Sequence, residues 1–88
     1  MNAKQYKNKV SSLGCILCRH LGWGPTPACL HHVREGLGMS QRAVDWLSIP
    51  LCKEHHQGKT GIHSAGFYAR FRLDEMDLLA MLIQEMAN

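Results

Sequence analysis

This 88-residue sequence has little acid where it has most of its base. Between Met1 and Leu73 only Glu35, Asp45 and Glu54 stand against all ten lysines and arginines, a balance of +7. Such a body suits a polyanion such as nucleic acid, because phosphate contacts are independent of sequence and driven by counterion release. A merely solvated surface is the plain alternative. The other four acids, Asp74, Glu75, Asp77 and Glu85, fall in the last fifteen residues and bring the net charge to +3.

Long hydrophobic runs are missing as well. No stretch approaches the ~18 consecutive apolar residues that read as a membrane-spanning helix. The opening Met1-Asn2-Ala3-Lys4-Gln5-Tyr6-Lys7 has no apolar segment behind its basic residues, so no secretory leader is expected and a cytoplasmic location follows. Repeats and low-complexity tracts are absent too, while a hydrophobic content of 45% argues against a disordered chain. Residues 1–88 are expected to form one domain. At that size a core alone gives marginal stability, and a bound metal often makes up the difference.

What is present fits that need. Cys15-x-x-Cys18 and Cys52-x-x-His55 supply four N/S ligands from two short knuckles, the requirement of a tetrahedral structural zinc. Four cysteines in a secreted mini-protein would suggest two disulfides; here no leader precedes them and histidines are interspersed at ligand spacing, which favours metal. Other zinc and thiol classes fit poorly. A C2H2 finger needs a second histidine with three to five residues between it and the first, and Pro25 and Pro27 would break its helix. Arg19 after the first knuckle excludes a c-type haem attachment, and no βαβ pattern supports a thioredoxin-like role.

The zinc set leaves His31, His32, His56 and His63 unused, which suggests a second metal site with chemistry of its own, against the plainer reading of solvent or core histidines. Cys29, in the apolar stretch Ala28-Cys29-Leu30, is expected to be buried as a small hydrophobe. His20, which follows the first knuckle, reads as a surface group or as a partner standing behind the metal ligands.

Local patterns place these residues on elements. Residues 2–13 suit a weakly amphipathic helix whose Lys4, Lys7 and Lys9 can touch phosphate, and the first knuckle reads as a tight turn. Residues 22–27 are a Gly/Pro loop, and Ala28–Val33 is a strand candidate in which His31 and His32 face opposite sides. A glycine-punctuated loop over 34–39 and a turn from Ser40 to Asp45 lead to a second strand, Trp46–Leu51, with Pro50 at an edge or end. The second knuckle runs into a helical turn. A final helix over about 74–87 has Asp74 as N-cap and acids in its first turn. Its apolar stripe of Met76, Leu79, Leu82, Ile83 and Met86 belongs to the core or to a partner-facing surface.

A CxxC knuckle, a hairpin with a His-His doublet, a loop, and "IPLCKEHH" entering a helix follow one another in an order that resembles the HNH endonucleases. The likeness covers residues 15–63. Within that superfamily the string "CLHHVREGLGMSQRAVDWLSIPLCKEHHQGKTGIH" is most similar to the RecA-dependent nucleases of the phage recombination-enhancement family. The resemblance implies an α+β fold of the small ββα-metal type, with a structural zinc knuckle and flanking N- and C-terminal helices. It also implies a DNA endonuclease with one catalytic divalent metal (Mg, Mn or Zn), acting with a RecA-type filament in a phage-infected or lysogenic host.

By the same resemblance His31 is a catalytic-metal ligand, His32 the general base, His56 a further ligand and His63 a third. The middle asparagine of the motif is missing, and Asp45 or Ser48 stands in its place. A free imidazole titrates near ~6.5 and is mostly neutral at physiological pH, as a base must be. Arg34, Arg42, Lys53 and Lys59 join the three N-terminal lysines as candidate DNA contacts. Two rivals remain: a non-catalytic zinc-ribbon DNA-binding or adaptor module, which would not need the four spare histidines together, and an interaction module docking through the C-terminal helix.

Overall fold

The computed structural model describes residues 1–33 and 44–87. Arg34, Arg42, the glycine-punctuated loop and most of the turn after it lie outside those residues. The described elements make a small α+β structure built on one antiparallel pair of strands. In chain order they are α1 (Ala3–Ser12), α2 (Ile16–Leu21), β1 (Cys29–His32), β2 (Ser48–Leu51), α3 (Lys53–Gln57), α4 (Phe67–Phe71) and α5 (Glu75–Ala87).

Helix α1 begins at a capping box. The Asn2 side chain accepts from the Gln5 backbone N–H at 2.8 Å, and the Gln5 side chain accepts from that of Asn2 at 3.0 Å. The first knuckle differs from the expected tight turn: Cys15 is the N-cap of α2, and its sulfur accepts from the Cys18 N–H at 3.4 Å. Helical geometry brings positions i and i+3 onto one face, so the x-x spacing converges two thiols without a hairpin. Gly14, before it, has φ of 78°, and a Cβ there would sit 2.9 Å from the Thr26 carbonyl oxygen. That carbonyl accepts the Cys15 N–H at 2.9 Å, which ties the Gly/Pro loop to the start of α2.

Strand β1 pairs with β2 with His31 opposite Ile49 and Leu30 opposite Pro50. Val33 N–H donates to the Leu47 carbonyl at 2.8 Å. Alternation along the ladder then makes His31–Ile49 a hydrogen-bonded pair and leaves Pro50 in a non-hydrogen-bonded one, where its missing N–H removes no bond to β1. All four residues of β2 are buried, and the strand packs against α1, α2 and α5. The core beneath it includes Val10, Leu17, Ile49, Leu51, Leu78 and Leu82. Each leucine or isoleucine fully buried there contributes roughly 1.5–3 kcal/mol relative to exposure.

At the N-terminus of α5, Asp74 and Asp77 cap each other: each backbone N–H donates to the other's carboxylate at 2.9 Å. The buried stripe of α5 is Leu78, Leu79 and Leu82, whereas Met76 and Ile83 are exposed. The helix is therefore rotated from the expected stripe. Its residues Met81 and Met86 pack only partly against the core. Helix α4 has no strong sequence signal; its Phe67 and Phe71 rings pack at 4.9 Å.

Candidate functional site

Two Cys/His clusters are assembled on this frame. The first unites the N-termini of two short helices, with Cys15 and Cys18 from α2 and Cys52, the N-cap of α3, beside His55 one turn on. The imidazole Nδ1 of His55 lies 3.3 Å from Cys52 Sγ, 3.5 Å from Cys18 Sγ and 3.7 Å from Cys15 Sγ, and the Cys18 and Cys52 sulfurs are 3.8 Å apart. Bond lengths of ~2.3 Å to sulfur and ~2.0 Å to nitrogen in a tetrahedral zinc site give edges of about 3.8 Å for S···S and about 3.5 Å for S···N. The nitrogen stands 3.3–3.7 Å from the three sulfurs, and the Cys18 and Cys52 sulfurs stand 3.8 Å apart, close to those edges.

All four residues are buried, and burial pushes the Cys15 thiol up to about 12. Cys15 in these surroundings resists ionisation without a cation beside it, and three sulfurs with one imidazole suit a structural metal such as zinc. Trp23 stacks on the His55 ring at 5.7 Å and Phe71 meets it edge-on at 5.6 Å, fixing the ring's orientation.

A second cluster lies across β1. Period-two alternation turns His31 and His32 to opposite sides, and their contacts follow. His31 is buried, with its ring 5.3 Å from that of His56 and 5.1 Å from that of His63. The His56 and His63 rings are 5.4 Å apart, and one nitrogen from each of the three lies within 4.8 Å of the others. Burial, helped by the charges of His31 and His63, holds His56 below the ordinary imidazole value, toward the neutral form that a metal needs. Three converging imidazoles are a donor set that fits a divalent first-row ion.

The turn that delivers His63 is held from α3. Glu54 accepts from the Thr60 N–H at 2.8 Å and from its hydroxyl at 2.7 Å, and these bonds hold its carboxyl below the usual range. Ile62 N–H donates to the His55 carbonyl at 2.8 Å. Gly61 sits tightly in this turn: a Cβ would lie 3.0 Å from the Glu54 and Gly58 carbonyl oxygens.

On the opposite side, His32 Nε2 lies 3.1 Å from Asp45 Oδ1. This hydrogen bond is the main cause that lowers the Asp45 carboxyl, with Lys7 adding its charge from 3.6 Å. Ser48 is buried and donates to the Asp45 carbonyl at 2.6 Å, so it holds the backbone of Asp45. Lys4, Lys9, Lys53 and Lys59 are exposed, the first two on α1 with Lys7, and His20 is exposed as well.

Cys29 departs from expectation. It is exposed, with Sγ 3.1 Å from His56 Nδ1 and 3.3 Å from the Leu51 carbonyl oxygen that it donates to. As the first residue of β1 it shares the His31 face by the period of two, and that face opens on α3 at this end. Sequence reasoning also passed over Glu54 and Glu75. Glu75, the first residue of α5, places Oε2 2.5 Å from His31 Nε2. Its only sequence signal was its position in the first helical turn.

A family model described as "Recombination enhancement, RecA-dependent nuclease" matches residues 1–72. Comparison with curated proteins and with solved structures finds no match.

Proposed function

The chain belongs to the recombination-enhancement, RecA-dependent nuclease family, and from that membership and the second cluster we propose that it is a metal-dependent DNA endonuclease of the HNH, ββα-metal type. Residues 1–88 act as a single nuclease domain on DNA engaged by a RecA filament. The observation that carries this reading is the meeting of His31, His56 and His63 beside a strand whose next residue, His32, is paired with a carboxylate.

In this reading Cys15, Cys18, Cys52 and His55 hold a structural zinc that pins α2 to α3. His31, His56 and His63 hold the second ion. A divalent cation there would supply positive charge to the scissile phosphate and to its departing oxygen. His32 is the general base. Asp45 accepts its Nε2–H, which leaves Nδ1 with the lone pair that takes a proton from the attacking water, and the carboxylate then stabilises the imidazolium that forms. Asp45 thereby does the orienting work of the motif's missing asparagine, with Ser48 holding its backbone.

The +7 charge of residues 1–73 supplies the attraction for DNA, with Lys4, Lys7, Lys9, Lys53 and Lys59 as contacts. Nicking of circular DNA with Mg or Mn, with and without a RecA filament, tests the proposal. Wild type is expected to cut and His32→Ala to lose cutting while it keeps fold and DNA binding. If both proteins bind equally and neither cuts with any metal, the chain is a non-catalytic DNA-binding module.

A further inference from the structure

The carboxylate at the start of α5 lies beyond the family match, which ends at residue 72. Glu75 lies against His31 with Oε2 2.5 Å from Nε2, and both side chains are largely shielded, 22% and 7% exposed. The two residues line one cleft of about 520 Å³ together with His63, Ser64, Phe67 and Tyr68. Helix α5 is anchored at this point by the reciprocal Asp74–Asp77 cap and by burial of Leu78, Leu79 and Leu82. Glu75 is therefore delivered by a fixed helix end.

We infer that Glu75 is the positioning residue of the three-histidine centre, accepting the Nε2–H of His31 and so presenting Nδ1 as its donor nitrogen. This rests on the metal role proposed above for His31, His56 and His63. The three imidazoles form a set of donors within 4.8 Å of one another that Glu75 does not join, so its carboxylate acts through His31. A carboxylate on the far nitrogen fixes the tautomer and the ring, and makes the near nitrogen more basic. The acid-poor body of the chain offers few such groups, and the one used comes from the acidic C-terminal helix.

Two measurements test this. In the zinc-loaded protein, calorimetric titration with a second equivalent of Zn or Mn reads the affinity of the three-histidine centre. Glu75→Ala is expected to weaken it 10- to 100-fold, the usual loss on removing the partner of a ligating histidine. In protein carrying only the structural zinc, nitrogen NMR at mildly alkaline pH is expected to show the His31 proton on Nε2 in wild type and in Glu75→Gln, whose amide oxygen still accepts, and a tautomer mixture in Glu75→Ala. A role confined to helix stability would leave the tautomer unchanged. Wild type that takes up two ions, with unchanged second-site affinity in Glu75→Ala or with the His31 proton on Nδ1, overturns the inference alone. Wild type that takes up only one ion overturns the metal reading beneath it as well.

Discussion

His32 and Asp45 are thirteen residues apart in sequence and 3.1 Å apart between Nε2 and Oδ1. With the carboxylate as acceptor, Nε2 is the donor nitrogen of the imidazole, and in the proposed reaction Nδ1 takes the proton. Asp45 sits just before β2 and His32 at the end of β1, so the strand pairing that seats Ser48 opposite His32 also brings this carboxylate within reach.

Substitution of either residue is expected to separate chemistry from binding. His32→Ala should lower the nicking rate by about 10²- to 10⁴-fold, the usual contribution of a general base. Asp45→Ala should lower it less, with DNA affinity little changed in both. Single-turnover nicking alongside gel-shift titration measures the two quantities.

The same pair has a signature in pH. Asp45 titrates below its ordinary value because His32 donates to it. A carboxyl depressed in the folded state contributes stability above its unfolded pKa, near ~3.9, and loses it as pH falls through the lowered folded value. Carbon NMR of the Asp45 carboxyl should find it below the usual range in wild type and closer to that range in His32→Ala.

Removal of the structural ion should be far more damaging than removal of any single surface side chain. Structural zinc contributes on the order of 10–16 kcal/mol in small metal domains, so a strong chelator or Cys18→Ala is expected to abolish cooperative thermal unfolding followed by circular dichroism. Burial pushes the Cys15 thiol up to about 12, so zinc affinity should rise with pH, since binding must displace the thiol proton.

The turn carrying His63 offers a local test. Gly61→Ala forces a methyl group against two backbone carbonyls, an overpacking that costs about 1–3 kcal/mol. The variant should melt lower and bind the second ion more weakly, while the structural zinc stays in place. Differential scanning calorimetry and metal analysis after dialysis read the two effects.

Charge on α1 should appear in the salt dependence of DNA binding. Each phosphate that Lys4 or Lys9 no longer neutralises reduces the slope of log K against log salt by about 0.9 on duplex DNA. Lys4→Ala and Lys9→Ala together are expected to flatten it by nearly two, measured by fluorescence anisotropy across a salt series.

Much of this was legible in the chain because the signals are local. The i, i+3 spacing of Cys15/Cys18 and Cys52/His55 marks two ligand pairs whatever fold carries them, and adjacent His31 and His32 must diverge on any strand. Helices at both ends, and both strands, follow from caps and short apolar runs. Local signals were weaker for the face of α5. Met76 and Ile83 fit the helical period as well as Leu78 does, and only packing against β2 and α2 selects Leu78, Leu79 and Leu82.

Sequence alone thus determined the donor types, their pairing in short motifs and the basic character of the body, since those properties belong to neighbouring residues. Tertiary structure decided which side chains meet across long separations: Cys29 exposed against His56, Glu54 clamping Thr60, Asp45 on His32 and Glu75 on His31. Such meetings depend on strand register and on the rotation of packed helices. A shift of one residue in a strand or about 100° around a helix would redirect each of these side chains.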